Sequence, residues 1–277
     1  MKLLCYTEEQ SVPGGKIGDF YTPEAGQRGE RKTMRENPAS SARKYLCQKT
    51  NRNINMLAAL QAGLAEVIAA EEHGCLFCVS DTMWQLAADD LETALRLYER
   101  VAPDAPMLAV QNIAQSRAIA AQFRPRCTAD YYNVWYAQSG IVLPETAGEI
   151  CALRPEDAPL LARYYRLPGP SVDDPQETEC YLRERIDAGV MFGLYQNGRL
   201  TGFAGTHEEG SIGLLTVLPE YRRRGIGTVL EQAAIARALE RGEIPFGQVA
   251  VENAASLALQ RSLWMTVADE PVCWMDR

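Results

Sequence analysis

Between Thr216 and Leu230 the chain reads Thr-Val-Leu-Pro-Glu-Tyr-Arg-Arg-Arg-Gly-Ile-Gly-Thr-Val-Leu. A strand ends, Pro219 turns the chain, three arginines follow, and Gly225 and Gly227 lead into an amphipathic helix. These residue types in this order make an anion site. Backbone N–H groups at a helix start have no internal partner, and the helix dipole adds partial positive charge to them. Glycine lets the backbone come close to a bulky phosphate, and arginines supply charge-assisted bonds to the same oxygens. A pyrophosphate is the ligand that suits such a turn best. A Walker loop is excluded because no Gly-Lys-Ser/Thr follows. The Rossmann fingerprint fails as well, since Leu230 stands where a third glycine belongs.

Read together, Arg222-Arg223-Arg224-Gly225-Ile226-Gly227, the lead-in Val217-Leu218-Pro219-Glu220-Tyr221, and the later segment Asn253-Ala254-Ala255-Ser256 make the chain resemble the Gcn5-related N-acetyltransferase family. The order of elements over 149–277 agrees with that family. The resemblance implies a mixed, mostly antiparallel sheet flanked by helices in this half, with acetyl-CoA (or another acyl-CoA) as co-substrate and no metal. It implies that Leu215 and Val217 offer backbone groups to the pantetheine arm where two strands splay. It also implies that Arg222, Arg223, Arg224, Gly225, Ile226, Gly227 and Thr228 cradle the pyrophosphate. Asn253, with Ser256 beside it, would bond the pantetheine. Asn253 is equally suited to cap the helix that follows.

Acetyl transfer to an amine requires a deprotonated nitrogen, a stabilised oxyanion and a protonated leaving thiolate. Relatives donate the last proton from a tyrosine seven residues after the asparagine, and Gln260 stands there. Trp264 takes the place of a usual glycine, and Ser211 the place of a base glutamate. Glu209 and its neighbour Glu208 are the remaining carboxylates near the acceptor side. In a strand reading His207, Glu209 and Ser211 share one face, which lets Glu209 act on the amine directly or through water. Glu252, next to Asn253, is the second candidate. Tyr164, Tyr165 and Tyr195 are possible substitutes for the missing tyrosine.

Several elements must position these groups. Residues 149–153 read as a strand and 155–166 as a helix. Asp174-Pro175 starts a helix that runs to Ala188, ahead of Gly189. Asn197-Gly198 joins two hairpin strands, 190–195 and 200–206. A third strand covers 211–217, the long helix 227–241, a strand 248–252, a helix 254–263 and a closing strand 272–275.

The preceding half reads as α/β without a phosphate loop or a nucleophile–base pair. Its elements are a helix over 54–70, a strand at 75–79, a helix over 89–101, a strand at 107–110, a helix over 113–123 and a strand at 131–137. Residues 11–53 read as an irregular basic arm. We assign 1–140 to an N-terminal α/β domain, with a degenerate second copy of the same fold as one reading of it, and 148–277 to the acetyltransferase domain.

With 277 residues, 36 acids and 28 bases, the net charge is −8, the wrong sign for a nucleic-acid partner. Charged residues and the absence of an apolar run of about 20 residues argue against a membrane span, and the acidic N-terminus against a secretory signal. A cytoplasmic protein acting on a small-molecule or peptide amine is the resulting expectation. A non-catalytic acyl-CoA or CoA sensor is the alternative. Cys75-Leu76-Phe77-Cys78 reads as buried thiols rather than a metal or redox pair.

Overall fold

The computed structural model describes residues 37–80, 82–144, 148–165 and 174–277, and in it one run of elements occurs twice. The first run is α1 (Pro38–Leu46), α2 (Thr50–Gln61), β1 (Glu66–Glu71), β2 (Gly74–Cys78), β3 (Met83–Ala88), α3 (Leu91–Tyr98), β4 (Met107–Val110), α4 (Ile113–Phe123) and β5 (Cys127–Trp135). The second begins with an extra strand, β6 (Glu149–Ala152). It continues with α5 (Ala158–Leu161), α6 (Pro175–Asp187), β7 (Phe192–Gln196), β8 (Arg199–Thr206) and β9 (Ile212–Val217). Then come α7 (Ile226–Glu240), β10 (Phe246–Ala250), α8 (Ala254–Ser262), the short β11 (Thr266–Val267) and β12 (Val272–Asp276). Two helices, three strands, then helix, strand, helix and a last strand recur in that order. The fold is mixed α/β, with helices on both faces of the sheet.

Among the described residues all twelve strands join one sheet, in the order β1-β2-β3-β4-β12-β5-β10-β9-β8-β7-β6, with β11 beside β5. The last strand of each run sits in the other run's half. β5 pairs antiparallel with β10 (Trp135 opposite Phe246), and β12 pairs antiparallel with β4 (Met275 opposite Leu108). The two exchanged strands also pair with one another. A row of side chains crosses this centre. Asn133 of β5 donates to Asn55 Oδ1 of α2 at 3.1 Å, Gln248 of β10 donates to Asn133 Oδ1 at 3.0 Å, and Trp274 of β12 donates to Gln248 Oε1 at 2.8 Å.

Alternation along the strands sends side chains to two helical layers. Leu86, Leu108 and Val110 pack against α3 and α4, while Ile212, Leu194 and Val249 pack against α7 and α8. On the opposite face Phe77 and Ala87 meet α1 and α2, Trp135 and Phe246 meet α2, and Phe203 and Leu214 meet α5 and α6. Phe77, Phe192, Phe203 and Phe246 are fully buried, each contributing roughly 1.5–3 kcal/mol of burial.

Several stretches differ from the sequence reading, and among them the helix expected over 155–166 is reduced to α5, Ala158–Leu161, after a 3₁₀ turn at Pro155–Asp157. Residues 38–53, expected to be irregular, lie in α1, a 3₁₀ turn at Cys47–Lys49 and the start of α2. Asn37 caps α1 through its side chain, Pro38 occupies the first turn, and Ala42, Tyr45 and Leu46 are buried. Residues 11–36 of the expected arm lie outside the described residues. The helix expected over 54–70 stops at Gln61, and Glu66–Glu71 form β1, where pairing with β2 outweighs the helix preference of an Ala-rich segment. Finally, β3 was not anticipated from Met83-Trp84-Gln85-Leu86, although it runs parallel to β4 over four residue pairs.

Candidate functional site

β9 and β10 run parallel but touch at one pair only, Gly247 opposite Ile212. Gly247 allows that approach, since a Cβ there would lie 2.9 Å from the Ile212 carbonyl. Beyond it the strands part and leave a wedge that widens toward Val217 and Ala250. Leu218 N–H donates to the Thr201 carbonyl at 3.0 Å. Alternation of an antiparallel ladder therefore turns the backbone groups of Val217 and Leu215 away from β8 and into the wedge. The Val217 carbonyl accepts from Arg222 Nε at 3.1 Å, so Arg222 closes the turn. At the narrow end, Leu214 takes a left-handed φ of 54°, where the β8–β9 register shifts.

The wide end of the wedge meets the start of α7. Gly225 is its N-cap, with φ 78° and no side chain satisfying the first turn. Helical bonding to Gly225 starts with Val229 N–H at 3.2 Å, so the N–H groups of Ile226, Gly227 and Thr228 precede the ladder. Arg223 is also left-handed, at φ 62°, and such local reversals turn successive N–H groups into a concave anion nest. Nothing lies within 4 Å of a Cβ added at Gly225. Arg222, Arg223 and Arg224 are exposed, and the Arg224 guanidinium stands 5.6 Å from the centre of the Tyr221 ring. On the other lip, Asn253 Oδ1 accepts from Ser256 N–H at 3.0 Å and caps α8. Glu252 is exposed beside it, at the wide end.

Residues 207–211 form a tight turn between β8 and β9, so the strand alternation expected to put His207, Glu209 and Ser211 on one face does not run through them. His207 N–H donates to the Ser211 carbonyl at 2.9 Å, and Gly210 supplies a φ of 87°. The turn still gathers the expected side chains. Ser211 Oγ donates to Glu209 Oε1, and both residues are buried. His207 Nδ1 lies 2.6 Å from the hydroxyl of Tyr181 on α6, and the two rings stack at 5.9 Å. Burial, followed by the charge of Glu209, holds the phenols of Tyr165 and Tyr181 well above the usual tyrosine range. Burial lowers the His207 pKa, with Glu209 opposing. This cluster sits at the narrow end of the wedge, on the α6 face, so the structure separates Glu209 from Glu252. Leu64, in the loop between α2 and β1, closes on the turn: its Cδ1 is 3.0 Å from a Cβ placed at Gly210.

Gln260 is buried, and its amide hydrogen-bonds to Glu231 of α7. It therefore faces the seam between α7 and α8. Burial pushes the Glu231 carboxyl up to about 7, with the Gln260 bond opposing. Tyr181 was not singled out by the sequence reading, because its partner lies 26 residues away on another element.

Residues 158–263 match the model described as the acetyltransferase (GNAT) family. Among solved structures, the chain is similar to a Drosophila protein at a TM-score of 0.63 and 16% identity, covering 86% of this chain and 95% of that one. It is also similar to a GCN5-related N-acetyltransferase-like protein from Streptococcus suis (TM-score 0.49, 14% identity, 87% and 100% covered). A GCN5-related N-acetyltransferase from Kribbella flavida gives a TM-score of 0.49 at 15% identity, with 82% and 95% covered. No curated protein matches the sequence.

Proposed function

We propose that the GNAT acetyltransferase domain at residues 158–263 is an acyl-CoA-dependent N-acyltransferase, which transfers acetyl from acetyl-CoA to a primary amine by direct attack in a ternary complex. One observation carries this reading: the wedge between β9 and β10 opens onto a helix N-terminus whose N–H groups no side chain caps. In it, the pyrophosphate rests on the N–H groups of Arg223 to Thr228 with Arg223 and Arg224 beside them. The pantetheine arm pairs with the backbone of Leu215 and Val217, and Asn253 Nδ2 is the donor from the far lip while its Oδ1 caps α8. Four residues of strand cover about 13 Å, so an extended arm entering at Val217 places its thioester near Gly213 and Leu214.

The acceptor enters on the α6 face, against Tyr165, Tyr181 and the 207–211 turn. Buried Glu209 attracts an ammonium group there and takes its first proton, while Ser211 holds the carboxylate. Glu252 lies at the other end of the arm. The first half of the molecule contributes Leu64 to the acceptor wall, as expected where a ligand site lies between packed elements. The test is release of CoA thiol from acetyl-CoA with a panel of small and peptidyl amines. Amine-dependent thiol release supports the enzyme. Because Gln260 turns toward Glu231 and supplies no acid, a CoA sensor is the second reading, supported by tight binding without turnover.

A further inference from the structure

Gly213, at the start of β9, has no side chain, and the imidazole of His207 fills that space. Its Nε2 lies 2.5 Å from where a Cβ would stand. The two ring nitrogens therefore look in different directions. Nδ1 meets the Tyr181 hydroxyl of α6 at 2.6 Å. Nε2 lies over the β9 backbone one residue before left-handed Leu214, at the narrow end of the wedge. The ring is only partly covered. Tyr181 and Arg185 face it from α6, and Glu208 and Glu209 from the turn. Desolvation keeps the ring neutral near pH 7, and the two carboxylates favour the imidazolium when it forms.

We propose that His207 is the proton carrier of the acyl transfer, with its Nε2 taking a proton from the attacking nitrogen and returning it to the departing sulfur, while Tyr181 fixes the ring by accepting the Nδ1–H bond. The proposal rests on the N-acyltransferase reading. After the ammonium has lost its first proton to Glu209, the neutral nitrogen forms the C–N bond to the thioester carbon and passes one N–H proton to Nε2. The C–S bond breaks with its electron pair on sulfur, the imidazolium protonates that sulfur, and His207 is neutral again. One group does both transfers, which is the economy of a base oriented by a third residue. It also removes the need for an acid at Gln260.

The chain has only two histidines, His73 and His207, so nitrogen-15 histidine NMR resolves them, with His207→Gln providing the assignment. We expect His207 at pH 7.5 to be neutral, protonated on Nδ1 and bare on Nε2, with an ionisation below the ordinary 6.5 of histidine. The kcat/KM for amine should fall below the same pH. His207→Gln should lower kcat roughly 100-fold or more, erase that acid limb and leave the acetyl-CoA Kd within about threefold. Tyr181→Phe should populate the other tautomer and lower kcat with little change in the amine KM. An Nε2–H tautomer in the wild-type protein, or a His207→Gln enzyme that keeps its acid limb or its kcat within about threefold, overturns the assignment. Failure of the wild-type protein to bind acetyl-CoA would instead remove the N-acyltransferase reading, and the proton carrier with it.

Discussion

The β3–β4 and β9–β10 pairs occupy equivalent places in the two runs, and they differ in what they leave open. β3 and β4 stay zipped from Met83–Met107 to Leu86–Val110. β9 and β10 meet once and part. After β3 the chain passes straight into α3, where Asp90 accepts from Thr93 N–H at 2.8 Å and Glu92 sits in the first turn. After β9, eight residues intervene and α7 begins on Gly225 with no side-chain cap. One architecture thus yields a closed half, whose helix start is satisfied by its own carboxylate, and an open half, whose helix start remains available for someone else's phosphate. The proposed acyl-CoA site is thus a local subtraction from the fold: one strand pair unzipped and one cap removed.

The largest effect is expected where a negative charge is restored to the open half. Gly225→Asp or Gly227→Asp should reduce acetyl-CoA affinity at least about 100-fold, near 2.7 kcal/mol, as measured by calorimetry. The fold should survive, because a Cβ at Gly227 meets only Val217 at 3.6 Å and Leu259 at 3.8 Å. At Gly225 a Cβ meets nothing within 4 Å, and the left-handed φ of 78° adds a cost of about 1 kcal/mol. The mirror change, Asp90→Ala, should lower the melting temperature and leave acetyl-CoA binding untouched. Equal loss of binding in both variants would break the comparison.

Next in size is the hinge of the wedge. Gly247→Val forces a Cβ against the Ile212 carbonyl and should cost about 1–3 kcal/mol in a denaturant titration, with a larger loss of turnover than of acetyl-CoA affinity. Turnover unchanged in a destabilised Gly247→Val protein would place the thioester elsewhere.

The motif at 222–228 was legible in the sequence because its chemistry is local: arginines and glycines at a helix start act through their own backbone. The second run was legible for the same reason, through a proline at the first turn of α6 and Asn197-Gly198 at the hairpin. The first run was harder. Glu66–Glu71 is helix-like in composition and becomes a strand only because β2 pairs with it, and β3 has no alternation to reveal it. The exchange of β5 and β12 has no local signal at all, since it is set by which strands meet across the centre of the sheet. Within the site, period-two reasoning groups Glu209 with Ser211, but a tight turn rather than a strand is what brings them together. The Tyr181–His207 contact and the Gln260–Glu231 pair depend on how helices cross the sheet.

That buried pair gives a further test. The native Glu231 binds a proton between about pH 4.5 and 7, whereas the unfolded carboxyl releases it near 4.5. Its contribution to stability therefore falls as pH rises through that window and levels off above about 7. Glu231→Gln removes the charge burial and offers an amide donor to Gln260 Oε1, which has no partner. It should stabilise the protein by about 1–3 kcal/mol at pH 8 and by little at pH 5, read from melts at the two pH values. Equal effects at both would show that Glu231 does not ionise in this range.

The smallest effects concern what the two halves share. α4 ends on Arg124 at φ 51°, and α8 ends on Leu263 with Trp264 next at φ 60°, so both halves use a left-handed non-glycine residue within two positions of the helix end. Arg124→Gly and Trp264→Gly should each stabilise by about 1 kcal/mol, and neither should alter acetyl-CoA affinity. Stabilisation of only one would mark the other as held by contacts of its side chain.

The most direct measurement is the stoichiometry of acetyl-CoA binding by calorimetric titration, with CoA and ATP as controls. One site per chain, shared by CoA, not by ATP, and lost in Gly225→Asp, is the expected result. Two sites per chain, or binding that persists in Gly225→Asp, would contradict the division into an open and a closed half.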